Sequence, residues 1–481
     1  MRKWKPYGSR TDPGAWLSLA NMFPTESGTY RTANAFTTYG TAAAGPASPG
    51  TTLCSWFGRT ADGTIVGYVG TSTKIYRCTT SELSSGTFTD ASAGGGYTIT
   101  EMSFCQFGNY TIAAVGHTND IQVRDATGSS AFATLSGSPP KAKICVTQSN
   151  CVLLFNLSGA PNAWAASDVG SHTTWDGSGD SVTTTYLLHR AGPITAAVAF
   201  RDEVVVFKSS SVYRFRYVGS PVKWLVELIA DGVGAARIGS VVNTGSVVIF
   251  TGDQGAYIYD GSQIRPIGQG FGGPSNVLED AGGTVSAPIF YQATNHVLFK
   301  SQDNEGWYVY NLTSDAWGKF LPYKSSDGSA MSGFVAVGSD VGALTYPLGI
   351  GNGAVVAVNL SSNPCVLNDI TESSNTVPAT ISTTLVGSDD RMTAFKRVTP
   401  RFNKTTAWDY TMPTATQLTM TPYTAATPAS SETTGTAVTS STSNLRFDYQ
   451  NNVRWARFDF ALNYACEIED VAVEAKDGGT D

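Results

Sequence analysis

The chain has 481 residues, of which only 14% are charged and 41% hydrophobic, with a formal net charge of −7. That apolar fraction excludes general disorder, and the absence of any Lys/Arg run excludes stable wrapping of nucleic acid. Gly, Ser, Thr, Val, Tyr and Phe are plentiful and the strong helix formers scarce, which points to strands and tight turns.

The first 50 residues are rich in Gly, Pro and Thr and only weakly periodic, and read as an extended arm. Arg2, Lys3 and Lys5 are the one basic concentration and read as a solvated end. Met1-Arg2-Lys3 leads into no apolar secretion core, and no stretch is long enough for a membrane-spanning helix. The seven cysteines are scattered without a CxxC pair, so the expectation is reduced thiols in a protein made in a reducing cytoplasm.

From about Leu53 a unit repeats: a polar turn, an apolar strand, a second turn, and a strand ending in aromatics. Asp62-Gly63 opens the first copy, which closes on Lys74-Ile75-Tyr76. The unit is clearest at Glu203–Phe207 followed by Val212-Tyr213-Arg214-Phe215. Its apolar strands begin near Ile65, Thr111, Val152, Val204, Val247 and Val297, at intervals of 41 to 52 residues. Periods of this length belong to four-stranded propeller blades. The predicted fold is therefore all-β: a β-propeller of about six blades over residues 51–365. Runs between the strand pairs, such as Ile194–Phe200, supply the innermost strands.

After about residue 365 the composition shifts. Residues 424–443 are nearly all Ala, Thr, Ser, Gly and Pro, and read as a long loop. Val453–Phe460 and Cys466–Glu474 alternate apolar with polar side chains, as half-buried strands do. Residues 366–481 are expected to form a β-sandwich-like platform, with the arm of residues 1–50 packing against it.

Candidate chemistry is sparse. His117, His172, His189 and His296 lack HxxxH partners, and no nucleophile elbow or Walker loop occurs. Gly268–Gly273 is glycine-rich without a strand-to-helix context and reads as a turn. Asp176-Gly177-Ser178-Gly179-Asp180 offers alternating oxygens that could suit calcium, but reads as an Asp/Gly turn. No catalytic residue, cofactor site or metal site is expected. The sharpest local motif is Ser167-Asp168-Val169-Gly170-Ser171-His172-Thr173-Thr174-Trp175, which resembles the Asp-box hairpin of sialidases and related propellers. Asp168 would accept backbone N–H bonds within the turn, Gly170 would supply an unusual φ, and Trp175 would plug the apolar layer beneath. That is a folding device. A sialidase would repeat the box and gather an arginine cluster beside a tyrosine; Arg190, Arg201, Arg214, Arg216 and Arg237 are the arginines available. A carbohydrate-active or carbohydrate-binding propeller is the alternative reading.

The order of features over about 250 residues is similar to one family, the tail nozzle or tail tubular protein B-like hub of short-tailed, podovirus-type bacteriophages. The resemblance is carried by Asn21-Met22-Phe23-Pro24 with Gly28-Thr29-Tyr30, and by Gly70–Tyr76. It continues through Phe88–Ser92 and then Met102–Asn109, with Met102 where the pattern calls for Trp. Trp164 with Asp168 and Trp175, Phe200–Asp202 with Val212–Phe215, and Gly239–Tyr257 complete it. The resemblance implies a non-enzymatic virion protein, a homohexameric conduit at the end of the phage tail that holds the genome back and then lets it out. The implied partners are other copies of the chain, a tail adaptor protein, and a tail fibre or spike protein. Double-stranded DNA would pass without sequence-specific binding, and the distal tip would meet the host envelope. Nothing in the resemblance marks channel-lining residues.

Overall fold

The computed structural model describes residues 3–4, 10–12, 15–33, 37–38, 52–78 (without 62 and 64), 88–253, 255–267, 285–291, 294–301, 307–320, 335–337, 355–358, 365–367, 379–402, 418–440, 446–463 and 466–477. Apart from one short 3₁₀ turn at Ile238–Ser240, every regular element among them is a strand. The fold is a β-propeller with an additional sandwich built from the two ends of the chain.

Seven four-stranded antiparallel sheets form the blades. Blades 1 to 6 each use four successive strands, beginning at Thr52, Ser103, Ala142, Ile194, Val241 and Val285. From blade 1 to blade 6 each first strand lies against the first strand of the next blade and so lines the axis. The second strand is covered on both faces: every residue of Cys151–Leu157 and of Glu203–Lys208 is buried. A strand enclosed on both sides must read as an unbroken apolar run, and these are the runs that carry the repeat in the sequence.

The seventh blade adds one to the six repeats legible in the sequence. Its strands Val335–Val337, Val355–Val358 and Cys365–Leu367 are joined by Thr37–Thr38 from near the start of the chain. Val335–Val337 lies against Thr52–Arg59 of blade 1, which closes the circle. The blade strands thus run two residues beyond 365 and include a pair before residue 51. The physical reason is closure: a ring of blades needs its ends fastened, and a strand from one terminus inserted into a sheet from the far end of the ring supplies main-chain hydrogen bonds for that purpose.

The remaining strands make two further sheets. One orders Lys3–Trp4, Ala15–Ala20, Ala379–Thr383, Trp455–Leu462, Leu418–Ala425 and Thr433–Thr434. The other orders Met22–Pro24, Tyr30–Thr32, Glu467–Asp477, Thr393–Phe402 and Phe447–Val453. Each mixes strands from the two chain ends. Trp455–Leu462 alternates half-buried and buried positions, so one face is wet and the other, with Ala456, Phe458, Phe460 and Leu462, packs inward. That inner layer is continuous with residues of blades 5 and 6, among them Ile249, Ile258, Val297, Tyr310 and Trp317, through Trp16, Met22 and Tyr30 of the arm.

Candidate functional site

The motif around Asp168 forms the connection between the third and fourth strands of blade 3, Ala160–Ala166 and Val182–Tyr186. Asp168 Oδ1 accepts the backbone N–H of Val169 at 3.0 Å and that of Asp180 at 2.7 Å, tying the two ends of the loop together. The Asp168 N–H donates to the Thr174 carbonyl at 3.0 Å, and the Gly170 N–H to Asn150 at 2.8 Å. Gly170 sits at φ +75° and Gly179 at φ +57°; a Cβ on Gly179 would come within 2.6 Å of the Asp168 carboxylate. Trp175 lies in the apolar layer with Val152, Leu154 and Ala165, and its indole N–H donates to the His172 carbonyl at 2.9 Å. The Asp168 carboxylate is turned inward to the loop, while Ser167 and Gly170 bond Val152 and Asn150 of the adjacent hairpin. His172 leaves the loop to lie tilted against Tyr110 of blade 2, 4.5 Å between ring centroids, and desolvation lowers its pKa.

The neighbouring Asp/Gly turn is bonded within itself and to blade 4. Asp176 Oδ1 accepts from the backbone and hydroxyl of Ser178, and Asp180 Oδ2 accepts the Tyr217 hydroxyl of blade 4 at 2.8 Å. Among the described residues no three His, Cys, Asp or Glu side chains gather in a metal-binding group. Gly268–Gly273 lies outside the described residues.

The arginines do not converge. Arg190 precedes the strand Ile194–Phe200 and pairs with Asp231 of the same blade. Arg201 follows that strand, donates to the Ser246 carbonyl at 3.0 Å and stacks over Phe200. The two therefore stand at opposite ends of a seven-residue strand, which separates them by about 20 Å. Arg214 and Arg216 share Glu227 on the adjacent outer strand. Arg237 leads into the 3₁₀ turn, its N–H donating to Ser240 Oγ at 3.0 Å. The constellation a sialidase-type site requires is not assembled from this set.

The histidines and buried charges serve as sutures between parts of the fold. His117 Nε2 meets the Asn156 carbonyl at 2.8 Å, and Asn156 Nδ2 donates to the Ile194 carbonyl of blade 4 at 2.8 Å. Arg124 of blade 2 donates to the Tyr68 hydroxyl of blade 1 at 2.7 Å. The Tyr259 hydroxyl of blade 5 donates to the buried Glu203 of blade 4 at 2.7 Å. Lys208 is fully buried and donates to the carbonyls of Leu187 and Arg190; desolvation lowers its pKa. His296 of blade 6 is bound to the Pro24 carbonyl of the arm and, through Nδ1, to Thr294. Burial pushes its pKa down to about 4.

The thiols are quiet. Cys105, Cys145, Cys151 and Cys466 are buried and Cys54 is half-buried, and none of the five is in a disulfide. Burial, with the Asp168 and Asp180 carboxylates nearby, pushes the Cys151 thiol up to about 11, so it is protonated at neutral pH.

No local signal marks these sutures in the sequence, because their partners lie far along the chain: Pro24 is 272 residues from His296. The Asp168 loop could be found because its partners fall within thirteen residues.

No family model matches the sequence, and no curated protein matches it. Solved structures with related architecture include the extracellular domain of a one component system from B. thetaiotaomicron, at 12% identity and a TM-score of 0.44. That alignment covers 77% of this chain and 43% of the other, so the chain matches less than half the length of that domain. YCF48 bound to D1 peptide is 10% identical, with 70% and 97% of the two chains covered and a TM-score of 0.42. The β-propeller domain of Cps50 (Swd1) from Myceliophteria thermophila is 12% identical, with 66% and 97% covered and a TM-score of 0.41.

Proposed function

We propose that this chain is a structural subunit of a phage particle, the nozzle of a short tail, and that it catalyses no reaction. In this reading several copies surround a conduit that retains packaged DNA and releases it on infection, docked to a tail adaptor above and to fibres or spikes at the side. The order and spacing of the motifs from Asn21 to Tyr257 support it. The observation that carries it in physical terms is the continuous apolar layer joining blades 5 and 6 to the two-ended sandwich. A propeller and platform sharing one core make a stiff wedge, and stiff wedges packed head to side close into rings. Few charged side chains need desolvation when such wedges meet, and a mildly acidic wall gives DNA no purchase.

The test is direct imaging. Electron micrographs of the purified chain, alone and with a tail adaptor protein, should show a ring of about six copies around a bore, closed through heterologous contacts. A strict monomer by native mass spectrometry under every condition, adaptor included, overturns the reading. So does glycan hydrolysis that depends on Asp168.

A further inference from the structure

The thiols of the described residues are spread over separate apolar layers, and one layer holds two of them. Cys151 packs between blades 3 and 4, and Cys466 in the layer shared by the sandwich and blades 5 and 6. Cys54 lies half-buried against the layer between blades 1 and 2. Cys105 and Cys145 sit together in the layer between blades 2 and 3.

Cys105 belongs to Ser103–Phe107 and Cys145 to Ala142–Gln148, the first strands of blades 2 and 3, which lie against each other beside the axis. Within blade 2, Ser103 stands opposite Ala114 and Cys105 opposite Ile112. Side chains alternate along a strand, so these four share one face. That face is turned to blade 3, because the Cys145 N–H donates to Ser103 Oγ at 2.9 Å. The Cys145 sulfur lies over the same four residues. It is 3.5 Å from Ser103 Oγ, 3.5 Å from the Ser103 carbonyl and 3.6 Å from the Ile112 carbonyl. Cys105 is the cross-strand neighbour of Ile112, and its thiol and that of Cys145 act on each other directly.

We propose that Cys105 and Cys145 are a modification site, a redox-sensitive staple between blades 2 and 3: two thiols in the freshly folded chain, one disulfide after exposure to a peroxide. The class of oxidant follows from burial. Cys105 is 7% exposed and Cys145 3%, which shuts out a bulky disulfide reagent, whereas hydrogen peroxide is little larger than water. Burial and the neighbouring Cys145 sulfur hold the Cys105 thiol well above its ordinary range, so it keeps its proton and suits the second, resolving step. The Ser103 hydroxyl beside Cys145 can donate to the sulfur that reacts first.

The chemistry closes in two steps. The Cys145 sulfur attacks one peroxide oxygen, the O–O bond breaks, and the thiol proton leaves with the departing oxygen as water, giving a sulfenic acid. The Cys105 sulfur then attacks the Cys145 sulfur, the S–O bond breaks, and the hydroxyl leaves with the Cys105 proton as a second water. The two thiols together lose two electrons, and the peroxide gains them. The bond that results fastens blade 2 to blade 3 covalently, where the thiol form relies on packing and on the hydrogen bonds of Ser103. The staple lies within one chain and needs no second copy.

The experiment treats the full, reductant-free chain with hydrogen peroxide, alkylates the remaining thiols after unfolding, and locates every cysteine by tandem mass spectrometry without reduction. Peptides joined through Cys105 and Cys145, lighter by two hydrogens than the reduced pair, are expected, with Cys151 and Cys466 still open to alkylation. The oxidised chain should melt higher by roughly 5 °C, and a reducing phosphine should reverse the shift. In Cys105→Ser the resolving thiol is gone, so Cys145 should pass on to the sulfinic acid and the melt should not rise. Should that variant fail to fold, the peptide map of the parent decides alone. Cys105 and Cys145 recovered alkylated after peroxide overturn the staple. So does their recovery as separate sulfinic or sulfonic acids in the parent, or a disulfide that joins either of them to another cysteine.

Discussion

Asp168 shows what a single carboxylate does in this fold. It closes a thirteen-residue loop by accepting two backbone N–H groups, the exposed one of Val169 and the part-buried one of Asp180. Asp168→Ala should cost about 1–3 kcal/mol, the penalty of losing the charge-assisted bond that holds the part-buried Asp180 N–H. Trp175→Ala should cost about 3–4 kcal/mol by opening a void beside Val152 and Leu154. Urea unfolding of both variants checks these values. His296 carries a different prediction. Its folded pKa is depressed to about 4 from an ordinary 6.5, because the ring is buried against Pro24. The unfolded chain therefore binds a proton first as pH falls. The stability His296 contributes is complete above pH 6.5 and is lost between 6.5 and 4, by up to ~3 kcal/mol. Stability measured against pH should slope in that window, and His296→Asn should flatten the slope while lowering the plateau. An unchanged slope in the variant would remove His296 from the account.

At the scale of elements, the arm is the piece with the most at stake. Met22–Pro24 belongs to a sandwich sheet yet lies against Ala316–Phe320, the outer strand of blade 6. The approach is so close that a Cβ on Gly318 would stand 2.3 Å from the Met22 carbonyl, while Tyr30 donates to the Trp317 carbonyl at 3.1 Å. Gly318→Ala should prise the arm from the blade at about 1–3 kcal/mol, seen as faster proteolysis near residue 24 with the rest of the chain protected. The same scale explains what the sequence could show. Middle strands such as Val204–Phe207 are enclosed on both faces, so their apolar runs announce six of the blades. The seventh is built from three- and four-residue strands and completed by Thr37–Thr38, and two threonines have no pattern of their own. The Asp168 loop was legible because its bonds are local. The scattering of the arginines was not, since it depends on which end of a strand each one occupies.

For the whole molecule, one apolar layer runs from Phe458 and Phe460 through Trp16 and Tyr30 to Trp317 and Ile258. Propeller and sandwich therefore share their interior instead of meeting across a wet boundary, and should lose it together. Scanning calorimetry of the isolated chain should give a single cooperative transition. Two separated transitions would show that the platform melts independently and that the wedge is hinged.

Ala15–Ala20 completes its sheet only with residues 380–383, Tyr30–Arg31 pairs with residues 467–468, and residues 37–38 pair with residues 365–366. During synthesis on the ribosome the opening of the chain has only its local pairings, Lys3–Trp4 with Ala15–Trp16 and Met22–Pro24 with Tyr30–Thr32, until most of the protein has emerged. Ring closure and platform are then completed late, by the same stretch of polypeptide. A prematurely terminated chain can form its early blades but can neither close the ring of blades nor complete the sandwich.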